Sequence, residues 1–195
     1  ALPGCEQLFT GQRGRGNGMR ASLTALVAAV AGAAGPVAAG HVYERWMEDN
    51  WNLLSSRTLL EVTLPGSHNA GNTEQELGTG PKCTTDDKYA AYQRQGGQLS
   101  QEEFDPLFLP WNVNHASTIG EQLLAGVRFF HLKLCWVGSD SGEPLRLSDV
   151  RHQHRGFTAA TAESIVGVMT SFLASHRRET VVLGLNNLNQ FDDEA

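Results

Sequence analysis

The 195-residue chain is long enough for one domain with a substantial core, and its 41% hydrophobic and 18% charged content exclude a disordered or fibrous protein. A net charge of −6 argues against nucleic acid as a partner, since phosphate binding needs a basic surface. No apolar run is long enough to cross a bilayer as a mature span, and Cys5, Cys83 and Cys135 form neither a disulfide framework nor a zinc pattern.

Residues 1–18, rich in glycine and arginine, read as upstream sequence without a structural role. From Met19 a short basic start leads into the nearly non-polar Ala21–Ala34 and a small-residue ending at Ala39. Residues 19–39 therefore read as a secretory signal, ahead of an alanine-rich helix or an organelle transit segment. A secreted or lumenal location follows, and in an oxidising compartment Cys83 and Cys135 could pair.

Trp46–Leu54 predicts a short helix, with Trp46 and Trp51 as packing anchors. The apolar, partly β-branched run Leu59–Leu64 predicts a first strand, stopped by Pro65-Gly66. Directly after it, His68 and Asn69 lie in a small-residue loop where an imidazole can exchange protons near neutral pH. Gly71–Pro110 is a long polar connection with a short helix expected around Asp87–Gln95.

Thr118 and Glu121 fit a capping box for a helix ending at Gly126. Val127–Leu134 then predicts a strand whose period of two puts Val127, Phe129, His131 and Lys133 on one face and Arg128, Phe130, Leu132 and Leu134 on the other. Gly138–Pro144 reads as a turn. A third strand is expected within Leu145–His154, with Val150, His152 and His154 on one face. Thr161 caps an amphipathic helix buried through Ile165, Val168, Met169, Phe172 and Leu173. Met169 is core filler, and His176, Arg177 and Arg178 suit the negative end of that helix. Thr180–Leu185 predicts a fourth strand.

Apolar strands alternating with helices are a parallel α/β pattern. The fold class expected is a partial (β/α) TIM-type barrel, about the first four βα units, over residues 46–195. Half a barrel leaves an open sheet edge, so this stretch alone is expected to be inactive. In such a barrel the strand ends converge on one mouth, bringing His68, Asn69, His131, Lys133 and His154 together. Two histidines flanking a phosphate make a general base and a general acid, and a lysine offsets charge on the phosphorane oxygens. His152 and His154 could share a zinc ion, but with no third ligand at a telling distance His152 reads as a polar wall residue. His41 and His115 have no partner pattern and read as surface groups.

Trp46-Met47 followed by Leu64-Pro-Gly-Ser-His-Asn-Ala-Gly71 resembles the opening of the phosphatidylinositol-specific phospholipase C X-domain family. Ser117–Lys133 is similar to that family's first helix and second strand, His154-Arg-Gly-Phe157 to its third-strand His-Gly-Leu, and Glu179-Thr-Val-Val-Leu to the next strand. The resemblance runs from about Trp46 to Asn187. It implies a phosphoric diester hydrolase acting on phosphatidylinositol or a related glycerophospholipid at a membrane surface bound peripherally. His68 corresponds to the general base, His154 to the general acid, and Asn69 to a supporting position.

The family's Phe-Asp-Leu-Arg becomes Phe130-His131-Leu132-Lys133, which keeps a cation for the phosphate but loses the guanidinium fork. The calcium held by animal signalling members needs carboxylates that neither His131 nor Lys133 supplies, so no cofactor is carried over. These departures leave a second expectation, a catalytically impaired lipid- or phosphate-binding barrel. Arg155 is inserted where the family has His-Gly. His154-Arg155-Gly156 also mimics the glycerophosphodiester phosphodiesterases, whose motif lies on the first strand; that reading ranks below the others.

Overall fold

The structure is a computed structural model that describes residues 26–28, 42–83, 88–138 and 146–186. Residues 1–18, most of the expected leader, His41, the Gly138–Pro144 turn beyond Gly138 and the chain after Asn186 lie outside the described residues. The fold is mixed α/β, with a sheet that curls into a half barrel.

The segment after the leader folds as two short helices, α1 (Trp46–Asp49) and α2 (Trp51–Leu54). Trp46 is an anchor, as expected: its indole Nε1 donates to the Gly126 carbonyl at 3.0 Å. Trp51 lies at the surface under the Arg178 guanidinium, 5.3 Å from its ring centroid. The strand expected over Leu59–Leu64 is not there. Thr58 and Glu61 cap each other reciprocally and wind Leu59–Glu61 into a 3₁₀ turn, a local competitor that an apolar run alone does not reveal.

The sheet has six strands among the described residues: β1 (Leu26–Ala28), β2 (Gly66–Ser67), β3 (Phe129–Trp136), β4 (Val150–His154), β5 (Phe157–Thr161) and β6 (Val181–Asn186). β2 and β6 both run parallel to β3. β1, drawn from the expected leader, pairs antiparallel with β6. The connection between β2 and β3 carries α3 (Lys88–Arg94), α4 (Gln101–Phe108) and α5 (Ile119–Leu124). The 14-residue α6 (Ala162–Ser175) leads from β5 to β6.

The all-parallel, four-unit pattern needs correction at β4. That strand runs antiparallel to both β3 and β5, with Leu134 opposite His152 and His154 opposite Phe157. Only Arg155 and Gly156 connect β4 to β5, both at positive φ (52° and 90°), which is the two-residue hairpin geometry. A two-residue connection cannot cross over to a parallel neighbour. The inserted Arg155 is thus a turn residue, and His-Arg-Gly here is a hairpin end.

Helices α5 and α6 start where expected, with Thr118 and Thr161 side chains accepting from backbone N–H groups three residues on. Gly126 sits at φ 96°, the left-handed stop after α5. Ile119, Leu123, Ile165, Met169 and Leu173 pack on Phe130, Leu132 and Leu134 of β3 to form the main core. Val168, expected in that stripe, is exposed. The alternation of β3 therefore assigns one face to the core and leaves His131 and Lys133, both half-buried, on the other.

Candidate functional site

β2 ends at Ser67, and the chain turns at once through His68 and Asn69. Asn69 adopts φ 52°, a left-handed conformation that asparagine tolerates better than most residues. The turn is closed by Asn72 N–H donating to the Asn69 carbonyl at 2.9 Å, and Ala70 N–H reaches the His131 carbonyl of β3 at 3.1 Å. Asn69 is buried, while His68 projects into solvent.

The turn lays the His68 ring on that of His131, with centroids 4.5 Å apart and planes 11° apart. Lys133 lies two residues further along the same face of β3. Burial first, and then the neighbouring His68 and Lys133 charges, hold the His131 imidazole below its ordinary pKa.

His154 closes β4 and is 9% exposed. Its Nδ1 lies 3.3 Å from the Asn112 carbonyl, which can only accept, so Nδ1 carries a hydrogen. Between the two ends sits His152, fully buried, opposite Leu134 and against Gly71. A Cβ added at Gly71 would come within 2.8 Å of His152 Cγ, so only glycine lets the loop pass this close. Burial and then the charges of His154, His131, Lys133 and His115 push the His152 pKa down to about 3.

His68, His131 and Lys133 are thus brought together directly, and Asn69 supports the turn beneath them. His154 joins them through two intermediaries, His152 and the segment Asn112–His115. The polar wall residue expected at 152 is a fully buried neutral imidazole. His115, expected as a surface group, instead bonds the His68 carbonyl at 2.8 Å through Nε2. Its sequence carried no signal, because its partner is a backbone atom 47 residues away.

Among the described residues no group of three or more His, Cys, Asp or Glu side chains is arranged to hold a metal ion. Cys83 and Cys135 are disulfide-bonded. The bond ties the long connection to β3, and Cys83 N–H donates to Gly156 of the β4–β5 turn at 2.9 Å. Sequence reasoning also missed a buried ion pair. Arg128 and Glu179, whose side chains are both 0% exposed, meet at 2.8 Å beneath the sheet and hold β3, β6 and the α1 segment together.

No protein-family model matches the chain, and no solved structure matches it. Three curated proteins are similar. A PI-PLC X-box domain-containing protein of Dictyostelium discoideum is 23% identical over 152 residues, 78% of this chain and 18% of the relative. The human PI-PLC X domain-containing protein 1 is 29% identical over 89 residues, 46% of this chain and 26% of the relative. The Danio rerio PI-PLC X domain-containing protein 3 is 27% identical over 149 residues, 74% of this chain and 42% of the relative. The chain thus matches less than half the length of each of these relatives. Joined to the ordered motifs around His68, Lys133 and His154, these similarities support a likeness to the PI-PLC X-domain family.

Proposed function

We propose that this chain carries the site of a phosphoric diester hydrolase of the PI-PLC type, on the opening part of a TIM-type (β/α) barrel. The substrate is phosphatidylinositol or a related glycerophospholipid. His68 takes the proton of the inositol 2-hydroxyl, whose oxygen attacks phosphorus to form a cyclic phosphodiester. The bond to the diacylglycerol oxygen breaks, and His154 protonates the departing alkoxide. Lys133 and His131 face the phosphate, and Asn69 supports the His68 turn. The parallel run β2–β3–β6, with α3–α5 leading into β3 and α6 leading into β6, supports the barrel reading.

The observation that carries this reading is the His68–His131 stack with Lys133 on the same strand face. One lysine ammonium beside two imidazoles suits a phosphodiester anion, the lysine by its charge and the rings as hydrogen-bonding and proton-exchanging groups. The test is turnover of a chromogenic inositol phosphodiester, compared between the full-length protein and its His68→Ala variant. Loss of turnover in the variant supports the reading; equal background rates overturn it.

A second reading, a barrel that binds phosphate or lipid without cleaving it, is favoured by one feature. His154 shares its strand face with the fully buried His152 and has little contact with solvent. Saturable binding of the same phosphodiester without turnover, weakened by Lys133→Met, would select it.

The Cys83–Cys135 disulfide supports a secreted or lumenal location, because such bonds persist in oxidising compartments. Among the described residues no helix is long and apolar enough to cross a membrane. Peripheral contact with a lipid surface is supported by Trp111, 84% exposed next to the Asn112 that holds His154, and sedimentation with lipid vesicles tests it.

A further inference from the structure

The segment Asn112–His115 lies between the helical connection and α5, and it touches all three residues assigned to proton chemistry or its support. At its start the Asn112 carbonyl accepts from His154 Nδ1–H. Next, Asn114 Oδ1 accepts from Asn72 Nδ2 at 2.8 Å and from Asn69 Nδ2 at 3.4 Å. At its end His115 Nε2 donates to the His68 carbonyl at 2.8 Å, with Ser67 Oγ at 3.3 Å. The segment is itself held in place. The backbone N–H groups of Asn114 and His115 both donate to the Asn72 carbonyl, and Glu74 N–H donates to the His115 carbonyl.

The contacts fall where the chain is strained. Asn69 is one of two described non-glycine residues at positive φ, and such a conformation persists only where its surroundings hold it. His115 grips the carbonyl before that residue, and Asn114 grips its side chain. The direction of the His68 ring follows from that turn, because the next backbone contact, Ala70 to His131, fixes its far side. At the other site the Asn112 carbonyl selects the tautomer of His154 with hydrogen on Nδ1, so that any proton exchanged with a substrate is carried on Nε2.

We propose that Asn112–His115 is a positioning strap that sets the orientation of both the His68 and the His154 imidazoles, with Asn114 and His115 as its positioning residues. The proposal rests on the reading of those imidazoles as the proton-transfer pair. Neither positioning residue touches the reacting atoms; each acts through the turn that carries His68.

The test uses paired variants of the full-length protein, read on the His68 ring resonance by NMR and on turnover. Asn114 is exposed, so Asn114→Leu removes the acceptor with little loss of core. Asn114→Asp keeps the acceptor, and His115→Gln keeps a donor where His115→Phe does not. The expected result is a displaced His68 ring signal in Asn114→Leu and His115→Phe, restored in Asn114→Asp and His115→Gln. Turnover by the two disruptive variants should fall tenfold to about a hundredfold in kcat with KM little changed, as misplacement of a reacting group does. An unmoved His68 signal in both disruptive variants overturns the strap. So does a change spread over all amides and repaired by neither conservative variant. A full-length wild type without turnover removes the hydrolase reading instead, while the ring signals still decide the strap.

Discussion

The imidazole of His68 lies flat over that of His131, 4.5 Å between ring centroids. A β-strand whose opposite face is core thereby presents one imidazole as a platform for another. Protonating both rings at that distance, beside Lys133, is unfavourable, and partial burial of His131 adds to the cost.

His131 should therefore stay neutral at pH 7 and titrate below the ordinary histidine value. Burial is the largest cause, so removing a neighbouring charge restores the pKa only in part. Lys133→Met and His68→Asn should each raise the His131 midpoint, read from its ring signals in an NMR pH titration. A midpoint unmoved by both substitutions would show that burial alone sets it.

His152 couples the site to stability. Its folded pKa of about 3 lies below the ordinary 6.5, so between those values the unfolded chain binds the extra proton. Stability from this residue is present above pH 6.5 and is lost as pH falls toward 3, at up to about 1.4 kcal/mol per pH unit. Denaturant unfolding between pH 4 and 7 should show this slope in the wild type and a shallower one in His152→Asn. Identical slopes would assign the acid sensitivity to other groups.

The Arg128–Glu179 pair should be far more sensitive to removal of one partner than of both. Arg128, its side chain fully buried, donates to Glu179, to the Leu123 and Val127 carbonyls and to the Glu44 carbonyl. Glu179→Gln leaves the buried guanidinium without a counter-charge, a loss of about 3–5 kcal/mol. The double change Arg128→Met with Glu179→Leu removes both charges and should recover part of it. Thermal unfolding of the three proteins checks this, and a double variant no more stable than Glu179→Gln would contradict it.

What the sequence disclosed was the structure governed by neighbours along the chain. Thr118 with Glu121 fixed the start of α5, and the period of two in β3 separated Phe130 and Leu132 from His131 and Lys133. The failures arose where a local alternative or a distant partner prevailed. Thr58 and Glu61 took the Leu59 run into a 3₁₀ turn. Two positive φ values at Arg155 and Gly156 reversed a strand that apolar pattern made parallel. His115 gave no motif, and Arg128, though inside the family-like stretch, gave no pointer to its partner, because a carbonyl 47 residues away and a carboxylate 51 residues away are invisible to spacing. His68 and Asn69 could be singled out as residues; the strap that holds them could not.

The disulfide gives the last expectation. Cys83 and Cys135 are 52 residues apart, so their bond closes a loop containing α3, α4, α5 and the strap. Closing a loop of that size restricts the unfolded chain, and opening it should lower stability by about 2–4 kcal/mol. Cys83→Ser with Cys135→Ser should unfold at lower denaturant than the wild type without reductant. Adding reductant should bring the wild type to the variant's midpoint and leave the variant where it was. Because Cys83 also donates to Gly156, one residue beyond Arg155, the His154 ring signal should shift on reduction while the signal of His176, at the far end of α6, stays in place. Quantitative alkylation of both thiols in the native, unreduced chain would rule the bond out.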